Sequence, residues 1–459
     1  MGASANPDSP GNDYVRCLIE FGFKGAVYPI NPRLDELLGL KAYARLVDVP
    51  GPVDYVISCI PAEAVLPLVD ECEAKQVRTL HLFTGRFRET GREEDATLEA
   101  ELLAKARSAG VRVIGPNCMG LYDPAQGISF RPDLPKEPGR VALISQSGNL
   151  AVELVGRSAA RGVRFSRVVS YGNALDLNEA DFLEYLALDS RTAVVGAYLE
   201  GTGDGRRLLA ALREVAAVKP VVVLKAGRTG AGARSALSHT AALAGAREVW
   251  AAALRQAGAV RVSAGDELID MLVAFSRWPA TAGRRVGVVG GGGGRTVQSA
   301  DACEDVGLTV VPLPDQIRWA LRERAPLLWD WVGNPVDQSI LAGSGVGGVQ
   351  ILEMMTESSE FDLLAANVGE DWLLGRPDAR DRLRHVVERF LEVGRKAAKP
   401  VAFVVGPPEW PEEWRRRAVA EAHDRLVEEG MAVFPTIERA AQALSRFARY
   451  WEQRAARGS

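Results

Sequence analysis

The sequence predicts an α/β protein built on doubly wound parallel sheets, and three observations carry that reading. Short apolar runs alternate with longer amphipathic stretches along the whole chain. The short runs are near-continuous in Val, Ile and Leu, as in PVVVLK and RVALIS, which signals strands covered on both faces. Two segments also open alike, with a basic residue, an apolar strand, a Gly-bearing turn and a helix: GRVALISQSGNLAVELV and RRVGVVGGGGGRTVQSA. That is one architecture used repeatedly, not a short solenoid repeat.

The chain has 459 residues, which at about 150 residues per domain suits roughly three domains. In the first, strands are expected at 26–30, 53–60, 78–84 and 111–114, with helices at 62–75 and 96–109. Its opening is unusual. A doubly wound domain places a strand before its first Gly-bearing loop, yet here the sequence starts at the loop, Met1-Gly2-Ala3-Ser4. The first strand is therefore expected to be missing and this domain to be the least stable. Residues 122–139 carry four prolines without periodicity and read as a linker. Strands follow at 140–145, 165–170, 193–199, 220–225 and 259–262, with helices at 148–161, 178–188, 205–217 and 247–257. WPATAG at 278–283 is a second break. Beyond it come strands at 284–290, 308–312, 361–367, 400–405 and 431–434, and helices at 378–398, 412–429 and 436–456. The domains are read as 1–125, 137–278 and 283–459.

Composition narrows the function. Lys plus Arg number 55 against 59 Asp plus Glu, for a net charge of −4. That argues against a nucleic-acid partner held by phosphate neutralisation. No apolar run approaches the ~20 residues of a membrane span, and the polar start MGASANPDSPGND lacks the parts of a signal peptide. Five scattered cysteines suit neither a disulfide framework nor a zinc site. A cytoplasmic protein without a metal is expected. The four histidines are His81, His239, His385 and His423.

Several residues could carry chemistry. Ser145, Ser147 and Gly148 sit in a turn that opens a helix, where unpaired N–H groups and the helix dipole can hold a phosphate or carboxylate. The alternative is a simple cap. A serine-hydrolase elbow needs Gly two residues either side of Ser147, and Ser145 and Asn149 stand there. The run 290–294 is all Gly and could wrap an anion or merely turn. No acidic residue ends the following strand, which disfavours a nicotinamide site. His239 lies among Gly, Ala, Ser and Thr, with Lys225, Arg228 and Arg234 nearby. An imidazole in such a cationic segment suits a phosphoryl acceptor, although a capping role is open. Glu200 ends a strand, facing the crevice where such folds bind ligands, and could orient His239 or cap the next helix. Asn117 lies in the tight turn GPNCMG, where Cys118 is expected to be packed. His81 is expected to be packed too, and His385 and His423 to be solvated.

The motifs GPNCMG, GRVALISQSGN, SYGNALDLNEADFLEYLALD, AYLEG and GRTGAGARSALSHTAALAG occur in that order. Together with FKGAVYPINPR, PGPVDYVISCIPAEAV and GNPVDQS, they resemble the NDP-forming acyl-CoA synthetase family, which includes succinyl-CoA synthetase and ADP-forming acetyl-CoA synthetase. The resemblance runs from Gly2 to about residue 445 and matches the α portion. It implies a Rossmann-like CoA-binding domain followed by two flavodoxin-like ligase domains. It also implies interconversion of acyl-CoA, phosphate and NDP with carboxylic acid, CoA and NTP, through an acyl phosphate and a phosphohistidine. By motif position His239 would carry the phosphoryl group and Glu200 would support it. Ser145, Ser147, Gly148 and Asn117 would bind phosphate. CoA would lie across Gly2, Ala3, Ser4, Asn31, Pro32, Arg33, Pro61, Thr84 and Gly85. ATP or ADP and Mg would sit on a separate ATP-grasp β-type subunit, because nothing in this sequence resembles one, and an oligomer is implied. Ala241 stands where the family usually has Gly. The rival readings are a CoA- or acyl-CoA-binding protein without ligase turnover and, further off, a nucleotide-dependent oxidoreductase.

Overall fold

The computed structural model describes residues 1–459 except 233, 235–245, 282, 342, 370–377 and 459. The chain forms two compact units, Met1–Leu268 and Ile269–Ser459.

The first unit begins with a helix, Pro10–Glu20. Ser9 caps it by accepting from Asn12 N at 3.2 Å, and proline fills its first position. A short hairpin, β1 (Glu36–Leu37) and β2 (Leu40–Lys41), follows. Next, β3 (Tyr55–Ser58), β4 (Thr79–Leu82) and β5 (Arg112–Ile114) form a parallel sheet in that order. Of the expected strand at 26–30, only an isolated bridge between Ile30 and Tyr43 is present. The second sheet holds β6 (Gly120–Tyr122), β7 (Val141–Ser145), β8 (Phe165–Ser170), β9 (Val194–Leu199), β10 (Val221–Lys225) and β11 (Val260–Val262). Their spatial order is β11-β10-β9-β7-β8-β6, parallel except for β6 at the edge.

The second unit repeats the core of that order. There β12 (Arg285–Val289), β13 (Thr309–Val310), β14 (Leu363–Asn367), β15 (Val401–Val404) and β16 (Ala432–Phe434) run parallel as β13-β12-β14-β15-β16. In both sheets the first of the parallel strands, β7 or β12, lies between the next two. The crossover direction reverses there, leaving a crevice at the strands' carboxyl ends. Every residue of β7, β10 and β14 is buried, which explains their unbroken apolar character. The α/β, parallel-sheet fold class is as the sequence predicts.

Residues 122–139 do not behave as a linker. Tyr122 ends β6, Asp123 bridges to Ile128, and Phe130 and Leu134 are buried. The Tyr122 hydroxyl donates to Pro135 O, so the prolines shape a packed strap. Helices at Pro10–Glu20, Gly265–Arg277, Asp315–Arg324 and Gly348–Glu357 lie beyond those expected, while Gly293–Asp305 is the helix predicted after the Gly-rich turn.

His81 on β4 is fully buried, with Tyr55 stacked at 6.2 Å and Tyr14 edge-on at 5.6 Å. Its Nε2 lies 3.2 Å from Cys118 O, and Nδ1 has no partner among the described residues. Burial pushes its pKa down to about 4. The folded ring therefore stays neutral where the unfolded one, at about 6.5, takes up a proton. Stability is expected to fall as pH drops from about 6.5 towards 4, by up to about 3 kcal/mol. A thermal-unfolding series across that range, with His81→Gln as comparison, checks this: the variant should show a shallower slope for the first unit.

Candidate active site

A connected series of turns lies at the carboxyl ends of the first unit's strands. Gly2 and Ala3 N–H groups donate to Ile30 O at 3.1 and 3.2 Å. Gly2 has φ +75°, and a Cβ there would meet the Cys59 carbonyl at 3.0 Å, so this close approach requires glycine. Asn31 Nδ2 donates to Ala3 O at 2.6 Å, and Asn31 Oδ1 accepts from Arg33 N at 2.8 Å. Ser4 O accepts from Asn12 Nδ2 at 2.8 Å. Pro32 and Arg33 are exposed, as is Pro61. The Thr84 hydroxyl donates to Ile60 O, linking the turn before Pro61 to the Thr84-Gly85 turn. Asn117, at φ +58°, donates its N–H to Thr84 O at 2.9 Å and places its side chain beside Gly85.

From Asn117 the series continues into the second sheet. Asn117 Nδ2 lies 3.5 Å from Asn173 Oδ1, beyond the end of β8. Met119 N donates to Ser170 Oγ at 3.1 Å. A Cβ on Gly148 would meet Met119 Cγ at 2.7 Å, so glycine lets the two turns touch. Cys118 is buried, and burial pushes its thiol pKa far up. That removes it as a nucleophile.

The turn after β7 starts the helix Gly148–Ala160. Ser147 is its cap, its hydroxyl accepting from Leu150 N at 3.4 Å. Gly148 and Asn149 N–H groups have no partner among the described residues, which leaves them for an anion. Ser145 is fully buried, and its hydroxyl donates to Ser147 O at 2.7 Å while accepting from Ser147 N at 3.2 Å. These two bonds shape the turn.

Glu200 faces this turn across the β7–β9 switch. Gln146 Oε1 accepts from Glu200 N and from Gly201 N, the latter at 3.0 Å. Glu200 Oε1 accepts from the Tyr198 hydroxyl at 3.2 Å, and Lys225 Nζ donates to Glu200 O at 2.7 Å. Both Glu200 and Lys225 are buried. Burial lowers the Lys225 pKa to about 8, against an opposing pull from Glu200. Lys225 also lies 4.9 Å from the Trp250 ring centre. Gln146, Tyr198 and the contact role of Lys225 escaped the sequence reading. The readable signal was a polar residue closing an apolar strand, which marks Lys225 as it marks Glu200. His239 and Ala241 lie outside the described residues.

In the second unit the Gly-rich turn has a steric cause. A Cβ on Gly290 would meet Asn367 O at 2.1 Å, and on Gly291 it would meet Arg295 Cβ at 2.8 Å; both have positive φ. Gly292 and Gly294 have open space. Two of the five glycines are thus required by packing. A cavity of about 310 Å³ at this unit's strand ends is lined by Arg295, Asn367, Trp410, Thr436 and Glu438 among others.

The family profile described as "CoA binding domain" matches residues 1–124, and "Succinyl-CoA ligase like flavodoxin domain" matches 138–275. The "Acetate--CoA ligase [ADP-forming] I subunit alpha" of Pyrococcus furiosus is 34% identical, over 97% of this chain and 94% of that protein. The chain belongs to the NDP-forming acyl-CoA synthetase family. A second α subunit of P. furiosus, from acetate–CoA ligase II, is 35% identical over 80% of this chain and 79% of its own length. In structure, this synthetase-family chain resembles the dinucleotide forming acetyl-coenzyme A synthetase 1 of Ca. Korarchaeum cryptofilum in complex with phosphate and ADP. The TM-score is 0.82 and the identity 32%, over 99% of this chain and 95% of that one. The CoA-binding match contains all the turns from Gly2 to Gly85. As an acid–thiol ligase of the family, the chain uses CoA. Among the described residues, no helix is long and apolar enough to cross a membrane.

Proposed function

We propose that this chain is the α-type subunit of an NDP-forming acyl-CoA synthetase. It interconverts acyl-CoA, phosphate and NDP with carboxylic acid, CoA and NTP. The observation that carries this is the junction of the Gly148 helix start with Glu200 through Gln146, beside turns that lead back to Gly2. CoA contributes the thiol that carries the acyl group. Gly2, Ala3, Ser4, Asn31, Pro32, Arg33, Pro61, Thr84 and Gly85 hold it. The Gly148 and Asn149 N–H groups, with Ser147 and Asn117, hold the phosphate. They supply fixed donors to its charge without reorganisation. The phosphoryl group passes to a His239 ring nitrogen, which Glu200 orients through the other nitrogen.

The same reading places nucleotide and Mg on a separate ATP-grasp β-type subunit. The three segments 1–125, 137–278 and 283–459 act as CoA-binding and two ligase domains, in a cytoplasmic oligomer. Support comes from the α-subunit names of its relatives. The test is to incubate this chain with an ATP-grasp partner, Mg and γ-labelled ATP. Label that is acid-labile and base-stable should appear on this chain; its absence defeats the proposal. A second expectation concerns CoA. Arg33→Ala should weaken CoA binding about tenfold, or ~1.4 kcal/mol, as read by titration calorimetry. An unchanged dissociation constant would remove Arg33 from the site.

A further inference from the structure

Three turns of the first unit meet at the carboxylate of Glu89. Its Oε1 accepts from Arg86 N at 2.6 Å, and its Oε2 accepts from Phe87 N at 3.1 Å and from Asn173 Nδ2 at 2.7 Å. The first two bonds lie within its own turn. The third crosses 84 positions of sequence to the loop after β8. That loop is tied to the Asn117 turn, because Asn173 N donates to Pro116 O at 3.0 Å. Glu89 Oε1 and Asn117 Oδ1 also flank Gly85 of the CoA turn: a Cβ there would lie 3.1 Å from one and 3.4 Å from the other.

These contacts fix which way two amides point. A carboxylate only accepts, so Asn173 must turn its NH2 to Glu89 and its Oδ1 the other way. Buried Glu99, paired with Arg88 at 2.8 Å, accepts from the same amide and enforces the same polarity. Asn173 Oδ1 in turn lies 3.5 Å from Asn117 Nδ2. That leaves Asn117 Oδ1 on the Gly85 side as an acceptor, and the second Nδ2 hydrogen of Asn117 without a partner among the described residues. The Asn117 turn leads on through Met119 to Gly148. One side chain thus offers an acceptor beside the CoA turn and a donor toward the phosphate turn.

We propose that Glu89 is a positioning residue that couples CoA binding to phosphate binding through Asn173 and Asn117. The inference rests on the assignment of CoA and phosphate to these turns. A CoA N–H or S–H group bonded to Asn117 Oδ1 polarises the amide and strengthens its N–H donation to phosphate. The effect is reciprocal, as any coupling between two bound ligands must be. Glu89→Gln breaks the relay at its start. One end of a glutamine amide donates, so the two amides downstream lose their fixed orientation.

The test is calorimetric titration of CoA into the full chain, with and without saturating inorganic phosphate. In the unaltered chain phosphate should tighten CoA binding about fivefold. In Glu89→Gln that ratio should fall to about one, and in Asn173→Ala as well. The double variant should show the same ratio as either single one, because both substitutions cut one relay. A Glu89 that only braces its own turn through Arg86 and Phe87 would shift CoA affinity equally with and without phosphate. A ratio still near that of the unaltered chain in Glu89→Gln therefore overturns the proposal, as does a ratio of one in the unaltered chain. If the unaltered chain gives no heat with CoA at all, the placement of CoA on these turns fails, and this inference with it.

Discussion

His239→Ala should abolish acid-labile labelling of the chain and lower ligase turnover by more than about three orders of magnitude. A covalent carrier has no substitute. Without the ring nitrogen the phosphoryl group has nowhere to reside between the acyl phosphate and the NDP. The Gly148 helix start and the CoA turns are distant in sequence from position 239 and hold together through their own bonds, such as Asn31 to Ala3 and Gln146 to Gly201. Unfolding and CoA binding should therefore be unchanged, which separates lost chemistry from lost structure. The measurement is time-resolved labelling with γ-labelled ATP and partner, alongside calorimetric CoA titration. Undiminished label would move the phosphoryl acceptor elsewhere and defeat the proposed route.

Glu200→Gln should slow formation of the labelled chain about 10- to 100-fold, at about 1.4 kcal/mol of barrier per factor of ten. Three bonds to main-chain atoms hold this position regardless of side-chain charge: Gln146 Oε1 to Glu200 N and Gly201 N, and Lys225 Nζ to Glu200 O. A glutamine can still accept from the Tyr198 hydroxyl, as Glu200 Oε1 does now. The substitution therefore removes the negative charge while these bonds can persist. A carboxylate bonded to one ring nitrogen fixes the tautomer and raises the basicity of the other; a neutral amide does so poorly. Single-turnover labelling rates give the readout. Rates equal to those of the unchanged chain would show that Glu200 only shapes the strand end.

Most of the architecture was legible from residue pattern. PVVVLK and RVALIS read as buried parallel strands because a strand covered on both faces leaves no position for a polar side chain. The positions of Glu200 and Gly148 at strand ends were readable because a polar or Gly residue there interrupts an apolar run, and such ends are where parallel-sheet folds gather ligands. The 122–139 segment misled, since four prolines exclude a helix whether the segment is loose or packed. Only the burial of Phe130 and Leu134 tells which. The partial run of apolar residues at 26–30 failed as a strand for a different reason: a strand needs neighbours on its edge, and that need is not written in its own side chains.

By itself the sequence determined the strand and helix pattern, the repeated βα openings and the family motifs. These depend on side-chain type and near spacing, which are local properties. Tertiary structure alone decided which turns touch. Asn117 meets the Gly85 turn, Met119 presses on Gly148, and Gln146 reaches across to Glu200. It also bonded the Ser145 hydroxyl to Ser147 O within the turn. Such pairings join residues tens of positions apart, and their geometry follows from strand order and crossover direction, which no single segment encodes.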